Sequence, residues 1–404
     1  MLHAPSAAKL LAMNLKESAH LWGGLHLLLT SRMGGTKHFE KEWSLGRRIT
    51  MAHRRLVLAQ RLSGDRQRYG VQERELMDEA LEHLRKRVDP EPDCRPVAEV
   101  SPDIDPTEFR ERFVKHPQPV IIRGLARRDC AAIGKWNREH FVEHYGDTQL
   151  ELNRIEYGQP IKVTEWQGQL REALESSNIY LDDSKILFSR FPELTRDIAG
   201  VPGWGRLLGK SMYVMPQLFL GDTLGAPFHC ANHWNFFVMA KGRKQWTFIS
   251  PEHTLQVGTL FTPSGIFADG CATGKGDTWR DNCELFTHYC PKYRGILEEG
   301  DVLLNPPWWW HEIKNLTPFP IGMATRWVVM NYARTNTLFD LIQLISPEVW
   351  KMYYQGMMSA SLGEDDVEKV DALKDSLETR NTDELYRVNY GVRAEDPGVI
   401  QAAA

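Results

Sequence analysis

Cysteine is scarce in this chain. Six cysteines occur among 404 residues, and no two of them are separated by just two residues. Disulfide-stabilised scaffolds and standard zinc modules need a denser or more regular set of thiols. The sequence therefore argues against both architectures, and it predicts a reducing, intracellular and specifically cytoplasmic location.

Long apolar runs and an excess of one charge sign are also absent. The apolar stretch at residues 21–29 is interrupted by His26, and it is much shorter than the roughly 20 residues that a membrane helix needs. No pattern typical of a signal peptide is present. The net charge is −4, which creates no basic field for nucleic acid. We therefore expect a soluble protein without a membrane or nucleic-acid partner.

The apolar periodicity divides the chain into three parts. Residues 1–95 predict a helical N-terminal extension, which ends in a proline-rich linker at residues 89–96. Residues 96–336 predict a β-rich domain, and residues 337–404 predict a helical C-terminal region. Helices of this kind serve either to dimerise a protein or to dock on its own core, and the pattern leaves both open.

The β-rich part contains many short strands. Residues 211–335 alternate short apolar runs with glycine, proline and asparagine, and no helices of 10–15 residues lie between them. This pattern excludes a doubly wound parallel sheet and favours a β-sandwich or barrel. Residues 257–291 lack clear periodicity, so we expect a functional loop or lid there.

Two segments of this part carry a histidine at the end of a predicted strand. The first segment spans residues 226–237 and is followed by a basic run at residues 241–246. The second spans residues 299–311, where a turn at Gly300 leads into an apolar strand, two prolines and three tryptophans before His311. Neutral imidazole is a good ligand for ferrous iron, and two histidines with a carboxylate form a common iron site.

These segments resemble the JmjC and cupin-like oxygenases, and within that family the asparaginyl hydroxylases. The resemblance spans about residues 100–335 and includes the strand and helix near residues 119–136. It implies a mainly β core, a double-stranded β-helix of the cupin or jelly-roll type. It also implies Fe(II) and 2-oxoglutarate as cofactors.

The resemblance assigns a role to five positions. His229 and His311 match the two iron-binding histidines. Lys244 matches the lysine that pairs with the far carboxylate of 2-oxoglutarate, and Asn235 matches an asparagine beside the cosubstrate. Arg326 lies where the asparaginyl hydroxylases have another asparagine on the cosubstrate side, and a guanidinium there could hold a carboxylate through two hydrogen bonds.

One position departs from the family pattern. The family has His-x-Asp, whereas this chain has Ala231 two residues after His229, and alanine cannot bind a metal. Neighbouring residues are poor substitutes, because Cys230 and Asn232 point to the opposite face of a strand and His233 lies roughly 13 Å farther along it. Asp222, or a residue of the long loop such as Asp277 or His288, could instead supply the missing ligand.

Three functions are compatible with this departure. In some iron and 2-oxoglutarate halogenases an alanine or glycine replaces the carboxylate, and chloride or bromide binds in its place. The second alternative is a hydroxylase or other oxidase with an atypical metal site. The third is a binding module without catalytic activity, although the presence of both histidines and the lysine argues against it. We take the halogenase, with a halide beside Ala231, as the leading hypothesis.

The sequence identifies the substrate only by class. No peptide-reading module accompanies the β domain, which favours a small-molecule substrate. We expect Trp309, Trp234 and Phe237 to line the substrate pocket, although core packing is an equally good interpretation of the tryptophans. A homodimer formed through the terminal helices is compatible with the pattern, as is docking of these helices on the core.

Overall fold

Two β-sheets with helices packed on their outer faces form the structured part of the chain. The computed structural model describes residues 47–63, 70–156, 162–175, 180–181, 187–188, 191–221, 225–261, 267–270, 288–329, 335–344 and 400–401. Within these residues, no helix combines the length and the apolar character that crossing a bilayer requires.

The strands are short, as the spacing of glycine and proline indicates. In chain order they are β1 Cys94–Pro96, β2 Ala98–Val100, β3 Val120–Ile122, β4 Gln149–Glu156, β5 Lys162–Gln169, β6 Tyr180–Leu181, β7 Ser211–Gly221, β8 Ala226–Ala231, β9 Trp234–Lys241, β10 Lys244–Ile249, β11 Thr259–Phe261, β12 Phe267–Gly270, β13 Lys292–Leu297, β14 Val302–Asn305, β15 Trp310–Asn315, β16 Ile321–Val329 and β17 Ile400–Gln401.

Helices flank the strands on both sides in sequence. They are α1 Arg47–Ser63, α2 Gly70–Arg85, α3 Pro106–Phe109, α4 Leu125–Asp129, α5 Arg138–Tyr145, α6 Leu170–Glu175, α7 Pro192–Asp197, α8 Gly205–Leu208, α9 Thr254–Val257 and α10 Thr337–Leu344. Helix α5 begins after Asn137, whose side chain accepts a hydrogen bond from the backbone of His140 at 2.7 Å. The helix that the resemblance places near residue 136 is thus present and begins at Arg138.

The strands pair mostly antiparallel in two sheets. Sheet 1 has the order β1-β13-β10-β15-β8-β12-β11, and sheet 2 has the order β17-β5-β4-β6-β7-β16-β9-β14-β3-β2. Several neighbours in this order, such as β10 and β15 or β9 and β16, are distant in sequence, because the chain passes back and forth between the sheets. The mainly β core of two facing sheets confirms the predicted fold class.

Alternation along the strands separates the interior from the outer faces. In β9, Phe237 and Met239 belong to the apolar cluster shared by the two sheets, whereas Phe236 and Val238 belong to the cluster covered by helices α3 to α8. Side chains that face the interior between the sheets therefore lie at the odd-numbered positions of β9 and on the strands opposite them.

Two predicted boundaries change in the structure. Strand β1 begins at Cys94 and pairs in parallel with β13, so the expected linker at residues 89–96 ends inside sheet 1. The expected loop at residues 257–291 contributes β11 and β12, which pair with each other and continue through β8. These strands are only three and four residues long, which is too short for periodicity to reveal them.

The terminal helices pack on sheet 1. Residues of α1, α2 and α10 share one buried cluster with the outward side chains of β8 and β15, including Phe228 and Trp310. Helix α10 contributes Phe339 and Ile342, both fully buried. The described part of the C-terminal region therefore docks on its own core, and the region from residue 345 to residue 399 lies outside the described residues.

A buried carboxylate ties β3 to the turn before β14. Asp301 accepts hydrogen bonds from the backbone of Gly124 at 2.9 Å and of Glu298 at 3.0 Å, and it also pairs with Arg123. Its side chain is almost fully buried. Charge-assisted bonds of this kind stabilise a buried turn well, because each donor would otherwise lose its hydration without compensation.

Helix α1 places a buried histidine at its contact with the core. His53 is 6% exposed, and its Nε2 atom has no hydrogen-bond partner among the described atoms. It lines a small cavity with Arg54, Glu252 and Thr254. Burial, and to a smaller extent the charge of Arg54, lowers the pKa of His53 to about 4. The folded chain therefore holds this imidazole in its neutral form.

We expect acid to weaken the fold through His53. Between pH 6.5 and about pH 4 the unfolded chain binds a proton that the folded chain excludes, so the free energy of unfolding falls as the pH falls through this window. The loss amounts to about 3 kcal/mol at the acid end. Urea denaturation across this range should show that His53→Gln removes this part of the pH dependence, while His116→Gln, at an exposed position, keeps it. The same pH dependence in the parent and in His53→Gln would contradict the prediction.

Candidate active site

Two histidines meet on the inner face of sheet 1. Strands β8 and β15 are antiparallel, and His229 pairs directly with His311 in their register. The two ring centroids are 4.2 Å apart. The flanking residues Cys230 and Trp310 face the outer cluster, so alternation turns both imidazoles inward.

The orientation of His311 leaves one nitrogen for a ligand. Its Nδ1 atom lies 2.8 Å from the carbonyl oxygen of Trp309. A carbonyl only accepts hydrogen bonds and this contact is shorter than the 3.3 Å from Nδ1 to Nδ2 of Asn305, so we assign the proton to Nδ1, and Nε2 then keeps its lone pair. Burial, and then the charges of His229 and Arg326, hold the pKa of His311 well below its usual range. His311 is thus a neutral imidazole, the form that binds a metal.

Aromatic rings enclose the histidine pair. The ring of Trp246 stacks on His311 with a centroid distance of 5.3 Å, and the ring of Phe267 stacks on His229 at 5.2 Å. Phe248 lies 6.1 Å from His311. These rings remove water from the imidazoles and restrict their rotation.

Ala231 borders the same space. In the pairing of β12 with β8 it lies opposite Phe267, and its carbonyl oxygen accepts a hydrogen bond from the backbone of Trp308 at 2.8 Å. Cys230 is fully buried in the outer cluster. Among the residues whose side chains the structure describes, no third histidine, cysteine or carboxylate joins the two histidines. Position 231 therefore brings no ligand of its own to the site.

The substitutes suggested by the sequence do not complete the described site. His288 is exposed, and its backbone carbonyl accepts from Glu91 outside the interior. Asp222 and Asp277 lie outside the described residues. A position that sequence reasoning missed is Asp269, whose backbone pairs with that of His229 in β12. It lies in the expected loop, where strand pairing could not be anticipated.

A lysine is buried at the start of β10. Lys244 is 0% exposed, and its Nζ donates to Oδ1 of Asn315 on β15 at 2.8 Å. The same nitrogen lies 5.9 Å from the ring centroid of Phe237. An ammonium group attracts anions strongly in a low-dielectric interior, because little water screens its charge. The position therefore suits one carboxylate of a bound molecule.

Sheet 2 presents a row of polar side chains. Asn305, Asn235 and Arg326 are aligned across β14, β9 and β16 by their register. Oδ1 of Asn235 accepts from the backbone of Thr325 at 3.1 Å, and Nε of Arg326 donates to Oε1 of Gln217 at 2.6 Å. Oδ1 of Asn305 is buried and has no hydrogen-bond partner among the described atoms. The row thus combines a cation with amide groups in a β interior that is otherwise mainly apolar.

Sequence reasoning missed Asn305 and Gln217. Asn305 ends an apolar strand just before two prolines, which was a usable signal for an inward polar group. Gln217 lies on β7, and its contact with Arg326 spans 109 residues. Only the tertiary structure reveals such a contact.

The three predicted pocket residues divide between two faces. Phe237 and Trp309 belong to the inner cluster, and Nε1 of Trp309 donates to the carbonyl of Pro117 at 3.0 Å. Trp234 belongs to the helix-covered outer cluster, so its expected place in the pocket was wrong. The reason is alternation: Asn235 faces inward, and its neighbour Trp234 must therefore face outward.

Comparison with known proteins identifies a family for this chain. Residues 106–333, more than half of the chain, match the family described as the cupin-like domain. The chain is 24% identical over 250 residues to the arginine-specific demethylase JMJ22 of Arabidopsis thaliana. That match covers 59% of this chain and 46% of the relative, so the chain spans less than half of the relative's length.

Two solved structures are also similar. Both are of YcfD, a ribosomal oxygenase of Escherichia coli, and one of them is in complex with cobalt and succinic acid. The TM-score is 0.37 for each, with 14% and 15% identity. The matches cover 57% and 56% of this chain and 52% of each YcfD chain.

The packing around Lys244 predicts the effect of one small substitution. A Cβ atom added to Gly322 on β16 would lie 2.3 Å from Cζ of Phe237 and 3.3 Å from Cε of Lys244. We expect Gly322→Ala to lower the free energy of unfolding by about 1–3 kcal/mol, because both neighbours are buried and must move. Gly203→Ala, where nothing lies within 4 Å, should change it by less than about 0.5 kcal/mol. Equal urea midpoints for the two variants would contradict this account of the packing.

Proposed function

We propose that this chain, which belongs to the cupin-like domain family, is an oxidative enzyme dependent on Fe(II) and 2-oxoglutarate. The proposal rests on one observation above all: two inward imidazoles 4.2 Å apart lie on the same sheet as a buried lysine. A neutral His311 whose Nδ1 is anchored presents the lone pair of Nε2 to a metal.

The described residues fit these two groups. His229 and His311 would hold the iron, since both are inward imidazoles on paired strands. Lys244 would bind the far carboxylate of 2-oxoglutarate, and Asn235 and Arg326 would lie on the cosubstrate side. When bound, ferrous iron would allow dioxygen to oxidise a C–H bond of the substrate, with 2-oxoglutarate as the second electron donor, which would leave as succinate and carbon dioxide. The protein's own contribution is to hold the imidazoles, orient the cosubstrate and exclude water with Trp246, the aromatic ring stacked on His311.

The nature of position 231 supports a more specific proposal. An alanine there removes one negative charge from the surroundings of the metal, so no carboxylate of the described site would offset the metal's charge, whereas Lys244 and Arg326 would be paired with the cosubstrate. This balance favours the binding of a small anion beside Ala231. We therefore propose that chloride or bromide binds there and that the enzyme halogenates an unactivated carbon of a small molecule.

The similarity to JMJ22 supports a second candidate. Its name describes an arginine-specific demethylase, not a halogenase. Under this alternative, water or a protein group completes the metal site, and turnover does not depend on halide. A binding module without catalytic activity is the third alternative, and it would produce no succinate at all.

The first test is spectroscopic and anaerobic. We would add ferrous iron and 2-oxoglutarate to the metal-free protein and follow the visible metal-to-ligand charge-transfer band during titration with chloride or bromide. We expect a band that shifts with halide. A band indifferent to halide would favour the hydroxylase, and the absence of a band would contradict the whole proposal. His311→Ala should abolish the band, whereas His116→Ala, at an exposed position, should keep it.

The second test restores the missing carboxylate. We expect Ala231→Asp to supply a metal ligand, to abolish the halide shift and to redirect turnover from halogenation towards hydroxylation or stop it. Asn232→Asp is the matched control, because it adds the same charge one residue away. Halogenation by Ala231→Asp at the parent rate would contradict the halide site. Asp269→Asn, on the strand paired with β8, tests whether a carboxylate of the chain serves instead.

We also propose that the enzyme acts on a small-molecule substrate and forms a homodimer through its terminal helices. Light scattering of the purified chain tests the dimer, and a mass equal to that of one 46.5 kDa chain would contradict it.

A further inference from the structure

The turn between β14 and β15 contains a residue in an unfavourable backbone conformation. Trp308 has a φ of 63°, in the left-handed region. Glycine adopts this conformation readily, whereas a bulky aromatic residue adopts it only when its surroundings compensate. Only two residues separate Trp308 from His311, so the strain lies close to the proposed metal site.

Three contacts hold Trp308 in place. Its backbone N–H donates to the carbonyl oxygen of Ala231 at 2.8 Å, and its indole Nε1 donates to Oδ1 of Asp340 on α10 at 3.0 Å. Its ring packs edge-on against Phe339, with a centroid distance of 5.0 Å and an interplanar angle of 76°. Both Trp308 and Asp340 are buried, at 1% and 6% exposure.

A further bond ties the same turn to the start of α10. The hydroxyl of Thr335 donates to the carbonyl of Pro307 at 2.7 Å. The amide of Asn336 then caps the helix by accepting from the backbone of Phe339 at 3.2 Å. The helix and the turn are therefore joined through backbone and side chains alike.

The turn connects α10 to both strands that carry the site, β8 and β15. The residue that contacts α10 also binds the backbone of position 231, and the next residue, Trp309, provides the carbonyl that orients His311. A movement of the Trp308 ring would therefore change the distance between Ala231 and β15 and rotate the His311 ring. Helix α10 on the outer face of sheet 1 is thus connected to the separation of Ala231 and β15 on the inner face.

We propose that Trp308 and Asp340 are positioning residues for the two-histidine site. Helix α10 holds Trp308 in its left-handed conformation, and Trp308 sets the placement of His311 relative to Ala231. The inference rests on the metal site proposed above and extends it to a helix that does not touch the metal. The chemical role of α10 is thus to maintain the geometry of a divalent-cation site from outside the β interior.

The test uses cobalt(II) as a probe in the full chain. We expect Asp340→Ala and Trp308→Phe to weaken Co(II) binding by about 10- to 100-fold, the range found when groups that orient metal ligands are removed, and to shift the visible ligand-field bands of the bound ion. Asp340→Asn keeps an acceptor oxygen for the indole, so it should restore the parent spectrum and bind within about threefold of the parent.

Trp136→Phe is the matched control. It also removes an indole bond to an aspartate, since Nε1 of Trp136 donates to Asp197 at 2.9 Å, but it does so in the helix-covered outer cluster of sheet 2. We expect it to lower the melting temperature comparably and to leave the Co(II) affinity and spectrum unchanged. An equal loss of Co(II) affinity in Trp136→Phe would show that the loss comes from lower overall stability, and it would overturn the proposal. Parent-like affinity and spectrum in Asp340→Ala and Trp308→Phe would overturn it too.

A second readout separates this inference from the metal site itself. The ring-nitrogen NMR shifts of His311 report in the metal-free chain which nitrogen carries the proton. We expect the Nδ1–H form in the parent and in Asp340→Asn, and a mixture of tautomers in Asp340→Ala. If the parent bound no cobalt, the proposed metal site would fail, and these shifts would still decide the positioning role: unchanged shifts in Asp340→Ala would refute it.

Discussion

The pairing of β8 with β15 is the contact on which the site depends. It places His229 opposite His311, and through alternation it turns Phe228, Cys230 and Trp310 to the outer face. A slip of one residue would reverse every side chain, because the side-chain period of a strand is two residues. The buried outer cluster therefore stabilises the same register that brings the histidines together.

The two sheets contribute different chemistry to the shared interior. Sheet 1 supplies the imidazoles and Lys244, and sheet 2 supplies the amides and Arg326 opposite them. Aromatic rings fill the space between, so charges in this interior interact with little screening. With alanine at position 231, the described side chains of the site sum to a positive charge, which is why an anion is central to the proposed function.

Some residues of this protein contribute both to the stability of the fold and to the geometry of the site. The buried cluster that includes residues of α1, α2 and α10 also contains Trp308 and Trp310, which belong to the segment just before His311. On the opposite side, Asp301 ties β3 to the turn that begins β14, the strand carrying Asn305. Anchors outside the β interior thus restrain two of the strands that deliver polar groups to it, β14 and β15.

Much of the fold followed from local patterns. The β-branched run at Val120–Ile122, the helix that ends before Gly146 and the glycine turn at Gly300 are each specified by residues close in sequence. The docking of α10 was foreseen only as one of two alternatives, because an apolar helix face suits a core and a partner equally well. The strands β11 and β12 escaped notice because a few residues cannot display a period.

The sequence by itself determined which chemical groups are available: two strand-end histidines, a lysine after a glycine turn, and an alanine where the related oxygenases have an aspartate. The tertiary structure decided which of these groups meet. It turned Asn235 inward and Trp234 outward, placed Phe267 against His229, and joined Trp308 to Asp340, 32 residues away. The reason is physical: alternation along a strand dictates that neighbours face opposite sides, but only the packing of distant segments determines which side is the interior.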